Sequence, residues 1–166
     1  MKPDEETSHA RRDVLASAAA LMAFGPTGDA MASDQTAAIR SVIERYADAW
    51  QRSDPAALAL YHPQFTIHWF GHNPLSGTHV GAEQVRQALG ELTRRTNRRL
   101  VRIVATLAGA DRGAIIARES FGTGDARVEM DRVLIFTVAE DRLRECWVYD
   151  ADPELLDRYV TGELGR

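Results

Sequence analysis

The chain has 166 residues, 45% hydrophobic and 27% charged, which suits one globular domain with its own core plus a short appendage and calls for no second domain. A formal net charge of -4 and a pI near 5.7 exclude a general electrostatic attraction to nucleic acid or anionic membrane. No segment reaches the roughly 18 to 20 apolar residues that span a bilayer. The single cysteine, Cys146, excludes an internal disulfide and a multi-cysteine metal site.

The first 32 residues read as an appendage. A polar start precedes Arg11 and Arg12, an alanine-rich apolar run follows from Val14 to Phe24, then a Gly-Pro break and Ala30-Met31-Ala32. That order is the layout of an export signal with cleavage after Ala32, and the arginine pair followed by Asp13, Val14 and Leu15 resembles a twin-arginine signal. Periplasmic or secreted localisation is the expectation. An amphipathic or disordered arm is the alternative.

From Ser33 onward the apolar spacing defines the elements. Ile39, Val42, Ile43, Tyr46, Ala47 and Trp50 predict an amphipathic helix over 34–52 with Ser33 or Asp34 as N-cap. Asp54-Pro55 starts a second, short helix that reaches His62 and is stopped by Pro63. Gln64 onward reads as a strand ending in the loop Gly71-His72-Asn73-Pro74-Leu75-Ser76-Gly77. A third helix is predicted from Gly81 to Arg95, carried by Val85, Leu89 and Leu92. The period then becomes two, with strands over 98–108, 114–121, 127–138 and 143–150 separated by turns, and Asp152-Pro153 caps a last helix. Consecutive hairpins with helices placed early imply an α+β domain: an antiparallel sheet covered on one face.

Several polar residues in these strands are candidates for chemistry. His68 carries an imidazole, the side chain best suited to moving a proton; it shares a strand face with Thr66 and Phe70, while Ile67 and Trp69 share the other. Trp147 and Tyr149 alternate on one face of the last strand with Leu143 and Glu145, and the Tyr149 hydroxyl is a donor for a developing enolate. Only one of Arg118 and Glu119 can face inward, and a buried charge there requires a partner. Glu129 and Asp131 share one face of their strand and Arg132 takes the other. His62, His68, His72 and His79 match no metal-ligand spacing. Without a glycine-rich phosphate loop or nucleophile elbow, neither metal nor cofactor is expected. The run Arg94, Arg95, Arg98, Arg99, Arg102 reads as a solvated basic edge at a helix C-terminus.

The entry Tyr46-Ala47-Asp48-Ala49-Trp50, the stretch Ser53 to Leu58, the loop Gly71 to Gly77 with Gly81, and the ending Arg142 to Asp150 together resemble the SnoaL-like branch of the superfamily that includes nuclear transport factor 2 and ketosteroid isomerase. The resemblance covers about 35–160 and implies a cone, with a curved antiparallel sheet wrapped around N-terminal helices. It also implies a cavity for a small hydrophobic molecule and a homodimer formed through the sheet. In ketosteroid isomerase a carboxylate base stands just before a similar loop. Anchoring on Gly71, Pro74 and Gly77 puts His68 there, whereas counting forward from the helix puts Trp69 there. Limonene epoxide hydrolase, a cousin, uses an Asp-Arg-Asp set whose last acid follows a tryptophan by two residues; Tyr149 stands at that position, which argues against that chemistry.

Two functions fit. One is a cofactor-free isomerase or cyclase in which His68 shuttles a proton and Tyr149 polarises the substrate, with Trp50, Phe70, Glu119 and Trp147 as binding residues. The other is a non-catalytic domain for ligand binding or dimerisation. Fold resemblance alone does not choose between them, because one fold hosts many chemistries.

Overall fold

The computed structural model describes residues 27–164. Helix α1 (Thr27–Gln51) leads into a 3-10 helix (Pro55–Leu60), then strands β1 (Tyr61–Trp69) and β2 (Gly77–Val80), and helix α2 (Ala82–Thr96). Strands β3 (Arg99–Ala108), β4 (Gly113–Phe121), β5 (Val128–Ala139) and β6 (Arg142–Asp150) follow, and α3 (Pro153–Thr161) closes the order. The sheet has six strands in the order β2-β1-β6-β5-β4-β3. Only β1 and β6 run parallel; all other neighbours are antiparallel. This is a mixed α+β domain with a curved, open sheet.

Helix α1 supplies the covering layer. Ile39, Val42, Ile43, Tyr46 and Ala47 recur at helical spacing and are all buried, packing into one core with Ile115, Ala117 and Phe136 of the sheet. The helix begins at Thr27, so the expected cap at Ser33 or Asp34 lies within it. Residues 1–26 of the expected export segment fall outside the described residues, and its expected cleavage point after Ala32 falls inside α1.

Two boundaries differ from the sequence reading. The short helix ends at Leu60, and Pro63 lies within β1 rather than stopping a helix. The pairing of β1 with β6 is irregular between Tyr61 and Thr66, so no ladder bond is demanded of the proline, which has no N–H to give. Strand β2 was not expected; the chain folds back through the Gly71–Gly77 loop to pair Thr66 with Val80 and Trp69 with Gly77. The loop is fastened to α3 by Asp157, whose carboxylate accepts from the His72 N–H at 2.8 Å and from Asn73 Nδ2. Gly71 sits at φ +147°, where a Cβ would meet Asp157 Oδ1 at 2.8 Å, so only glycine lets the loop lie this close.

The edge strand β3 is protected. It bulges at Val101 and Val104, which have no partner in the β4 register, and Gln51 of α1 accepts from the Ile103 N–H at 2.7 Å. Bulges and a capped edge amide discourage a further strand from adding there.

Candidate functional site

Four charges meet in the interior, two of them sent there by side-chain alternation in β4 and β5. In β4, Glu119 alternates with Ile115, Ala117 and Phe121, and in β5, Arg132 alternates with Met130, Leu134 and Phe136; all are buried. Arg98 Nε donates to Glu119 Oε2 at 2.7 Å and its Nη2 to Oε1, while Arg132 Nη1 donates to Oε2 at 2.9 Å. Arg132 also pairs with Asp150, which accepts from Trp69 Nε1 at 3.1 Å. The guanidinium of Arg132 stands 5.1 Å from the centroid of the Trp69 ring. Two arginines and two carboxylates therefore close a neutral network in which each buried charge is paired, the condition under which charge is tolerated in a core.

Electrostatics follow from that pairing. Burial alone would raise the pKa of Glu119, but Arg98 and Arg132 outweigh it and lower it to about 2. Burial likewise opposes the charge on Arg98, and Glu119 overrides it, holding the guanidinium above its ordinary pKa. Glu119 is thus a permanently ionised, weak base near neutral pH. Its side chain is 0% exposed and that of Arg132 3%, whereas Arg98 reaches 13% and is the member of the network that lines open space.

That space lies between α1, the 3-10 helix and α2. A cavity of about 280 Å³ is lined by Tyr46, Trp50, Leu58, Tyr61, Leu89 and Arg98, with Asp54 and Pro55 also on its wall. The Tyr46 and Tyr61 hydroxyls are 2.9 Å apart and hydrogen-bonded to each other. Burial raises the pKa of both, that of Tyr61 to about 12, so both stay protonated. Two hydroxyls sharing one hydrogen bond leave one O–H proton to donate. Arg98, which spends Nε and Nη2 on Glu119, keeps the N–H groups of Nη1. The polar end of an otherwise aromatic and aliphatic cavity is therefore rich in donors.

The expected site residues divide between the two faces of the sheet. Trp50 lines the cavity and Glu119 points inward, behind Arg98. Trp69 takes the inner face at 2% exposure, which turns His68 outward, where its ring stacks on Trp147 at 5.2 Å and Nδ1 meets Thr78 Oγ1 at 3.1 Å. Phe70 and Tyr149 pair 5.1 Å apart on the same outer face, 50% and 46% exposed. The expectation that His68, Tyr149 and Trp147 gather inside is therefore corrected: they gather, but on the outside. Leu143 also leaves their company, because a register shift opposite Thr137 and Val138 puts it in the core.

The sequence reading passed over Tyr46, Tyr61, Arg98, Arg132 and Asp150 as a group. Arg132 and Glu119 each interrupt an apolar alternation, a signal legible on single strands. Arg98 carried none, because it stands in an arginine run at a helix end.

The SnoaL-like domain family matches residues 43–146, which includes α1's packed half, the cavity wall and all six strands up to Cys146. The chain belongs to the SnoaL-like family. No curated protein matches it. Among solved structures, this SnoaL-like chain is similar to a Xanthomonas campestris protein of unknown function with a cystatin-like fold, at 24% identity over 72% of this chain and 95% of that one, with a TM-score of 0.65. An NTF2-like protein from Burkholderia xenovorans matches at 20% identity over 75% and 97%, with a TM-score of 0.61. TerC, co-crystallised with polyporic acid, matches at 17% over 72% and 98%, with a TM-score of 0.59. At these identities the likeness establishes the fold. Among the described residues no helix is long and apolar enough to cross a membrane.

Proposed function

We propose that this SnoaL-like protein binds a small, mostly apolar carbonyl compound in the cavity between α1, the 3-10 helix and α2. The observation that carries the reading is the unspent donor of the Tyr46–Tyr61 pair beside Arg98, at the end of a cavity otherwise built from Trp50, Leu58 and Leu89. A few placed polar groups in an apolar cavity fix a ligand's orientation. That TerC has been co-crystallised with polyporic acid agrees with this use of the fold. The same donors would stabilise an enolate, so an isomerase or cyclase reading needs only a base, and Asp54 is the carboxylate on the cavity wall. Non-catalytic binding is favoured by the outward placement of His68.

Export and a homodimer complete the proposal. Residues 30–35 are exposed, so cleavage after Ala32 would remove no buried side chain from positions 30–32. Phe70 and Tyr149 give the outer sheet face an apolar surface suited to a second copy.

Titration with α-tetralone, a neutral bicyclic ketone, tests the binding reading by calorimetry. The Tyr46→Phe/Tyr61→Phe double variant should bind about tenfold more weakly, the worth of a hydrogen bond, and His68→Ala should bind unchanged. Equal binding by the double variant, or loss in His68→Ala, would place the ligand elsewhere.

A further inference from the structure

A second cavity, of about 400 Å³, adjoins the first at Trp50, Ser53 and Arg98. The Arg98 guanidinium stands 5.5 Å from the centroid of the Trp50 ring, so this cation–aromatic contact belongs to the wall of both. The two compartments differ in chemistry. The first has Tyr46, Tyr61, Leu58 and Leu89, with a carboxylate, Asp54, on its wall. The second has Gln51, Ser53, Thr93, Arg98 and Arg99 around the indole and no acid.

Its donors are also unspent. Gln51 uses Oε1 on the Ile103 amide, which leaves its NH₂ group free to donate. Among the described residues the Ser53 hydroxyl makes no side-chain hydrogen bond and Arg99 makes no ion pair. Arg99 shares this with Arg102 and differs in it from the other three arginines of the run. Arg94 and Arg95 are both held by Glu91, and Arg98 is held by Glu119. The run is therefore not a uniform basic edge: two of its charges are neutralised on α2, one is buried and paired, and of the two that make no ion pair among the described residues, Arg99 and Arg102, Arg99 lines the cavity.

We propose that the second cavity takes the carboxylate end of a ligand whose apolar, carbonyl-bearing body occupies the first, so that the ligand is an amphipathic oxo acid laid across Trp50. The proposal rests on the binding reading of the first cavity. Arg99 supplies the net positive charge, Arg98 Nη1 and the Ser53 hydroxyl supply donors to the carboxylate oxygens, and Asp54 in the first cavity sets the polarity by repelling the acid from that end. Trp50 then fixes the distance between the ligand's ring and its acid.

The test compares 2-naphthylacetate with its methyl ester, which share a ring body and differ in the charge. On the wild-type protein the acid should bind about tenfold or more tightly than the ester, as a charge-assisted contact implies. Arg99→Gln, a substitution at an exposed position, should remove that preference and leave ester binding unchanged. Equal binding of acid and ester, or a preference that survives Arg99→Gln, overturns this inference and leaves the first cavity's role intact. Failure of both probes to bind while α-tetralone binds overturns this inference alone, and failure of α-tetralone as well overturns the two readings together.

Discussion

Strands β4 and β5 carry two arginine–carboxylate pairs one residue apart, and the sheet sends them to opposite faces. Arg118 and Asp131 meet at 2.6 Å on the outer face, 34% and 40% exposed. Glu119 and Arg132 meet at 2.9 Å on the inner face, 0% and 3% exposed. The groups are chemically alike; the surroundings are not. Outside, water solvates and screens each charge whether or not the pair forms, so the pair adds little. Inside, each charge has lost its water and depends wholly on its partners. Removing one inner partner strands the others, and Glu119 is the partner of two arginines at once. Glu119→Gln should therefore lower stability by about 3–5 kcal/mol, read from urea unfolding with an unchanged dependence on denaturant. A loss under about 1 kcal/mol would mean that water enters the network.

Acid sharpens the same contrast. The pKa of Glu119 is lowered to about 2 in the fold, against about 4.3 for a free glutamate. A carboxylate lowered on folding stabilises the folded state above its unfolded pKa and loses that contribution as pH falls through its folded one. The unfolding midpoint of the wild-type protein should therefore fall between about pH 4.3 and pH 2, and Glu119→Gln should flatten that part of the profile. Asp131 is also lowered, by its hydrogen bond to Arg118, but solvent screening leaves it little weight in the profile. A variant whose acid limb matched the wild type's would assign the limb to other carboxylates.

How far the sequence carried the fold and the site follows from the same physics. Helical spacing in α1 and α2 and the period of two from Arg99 onward were legible, because burial of one face imposes them on any chain that folds this way. The mixed class and the family resemblance came with them. The phase of a strand was harder: His68 and Trp69 are both plausible inward residues by type, and only the core shared with Phe65 and Ile67 decides for Trp69. One residue of phase exchanges the two faces completely. The register shift that separates Leu143 from Glu145 is invisible in a single strand, since it is a property of the pairing with β5. The network from Arg98 to Asp150 joins residues from the end of α2 to the end of β6, and its members meet only when the sheet is assembled.

The smallest predicted effect concerns the outer pair. A double-mutant cycle on Arg118→Ala and Asp131→Ala in dilute protein should give a coupling below about 1 kcal/mol, since the two side chains remain 34% and 40% exposed. This measurement also reads the state of the outer face. If a second copy covers that face around Phe70 and Tyr149, water leaves the neighbourhood of Arg118 and Asp131 and the coupling should grow with protein concentration. A coupling constant across concentrations would mean that the pair stays in water, and a dimer, if formed, would use another surface. A coupling as large as that of the inner pair even in dilute protein would contradict the contrast itself, because it would show that exposure does not govern what a charge pair is worth in this sheet.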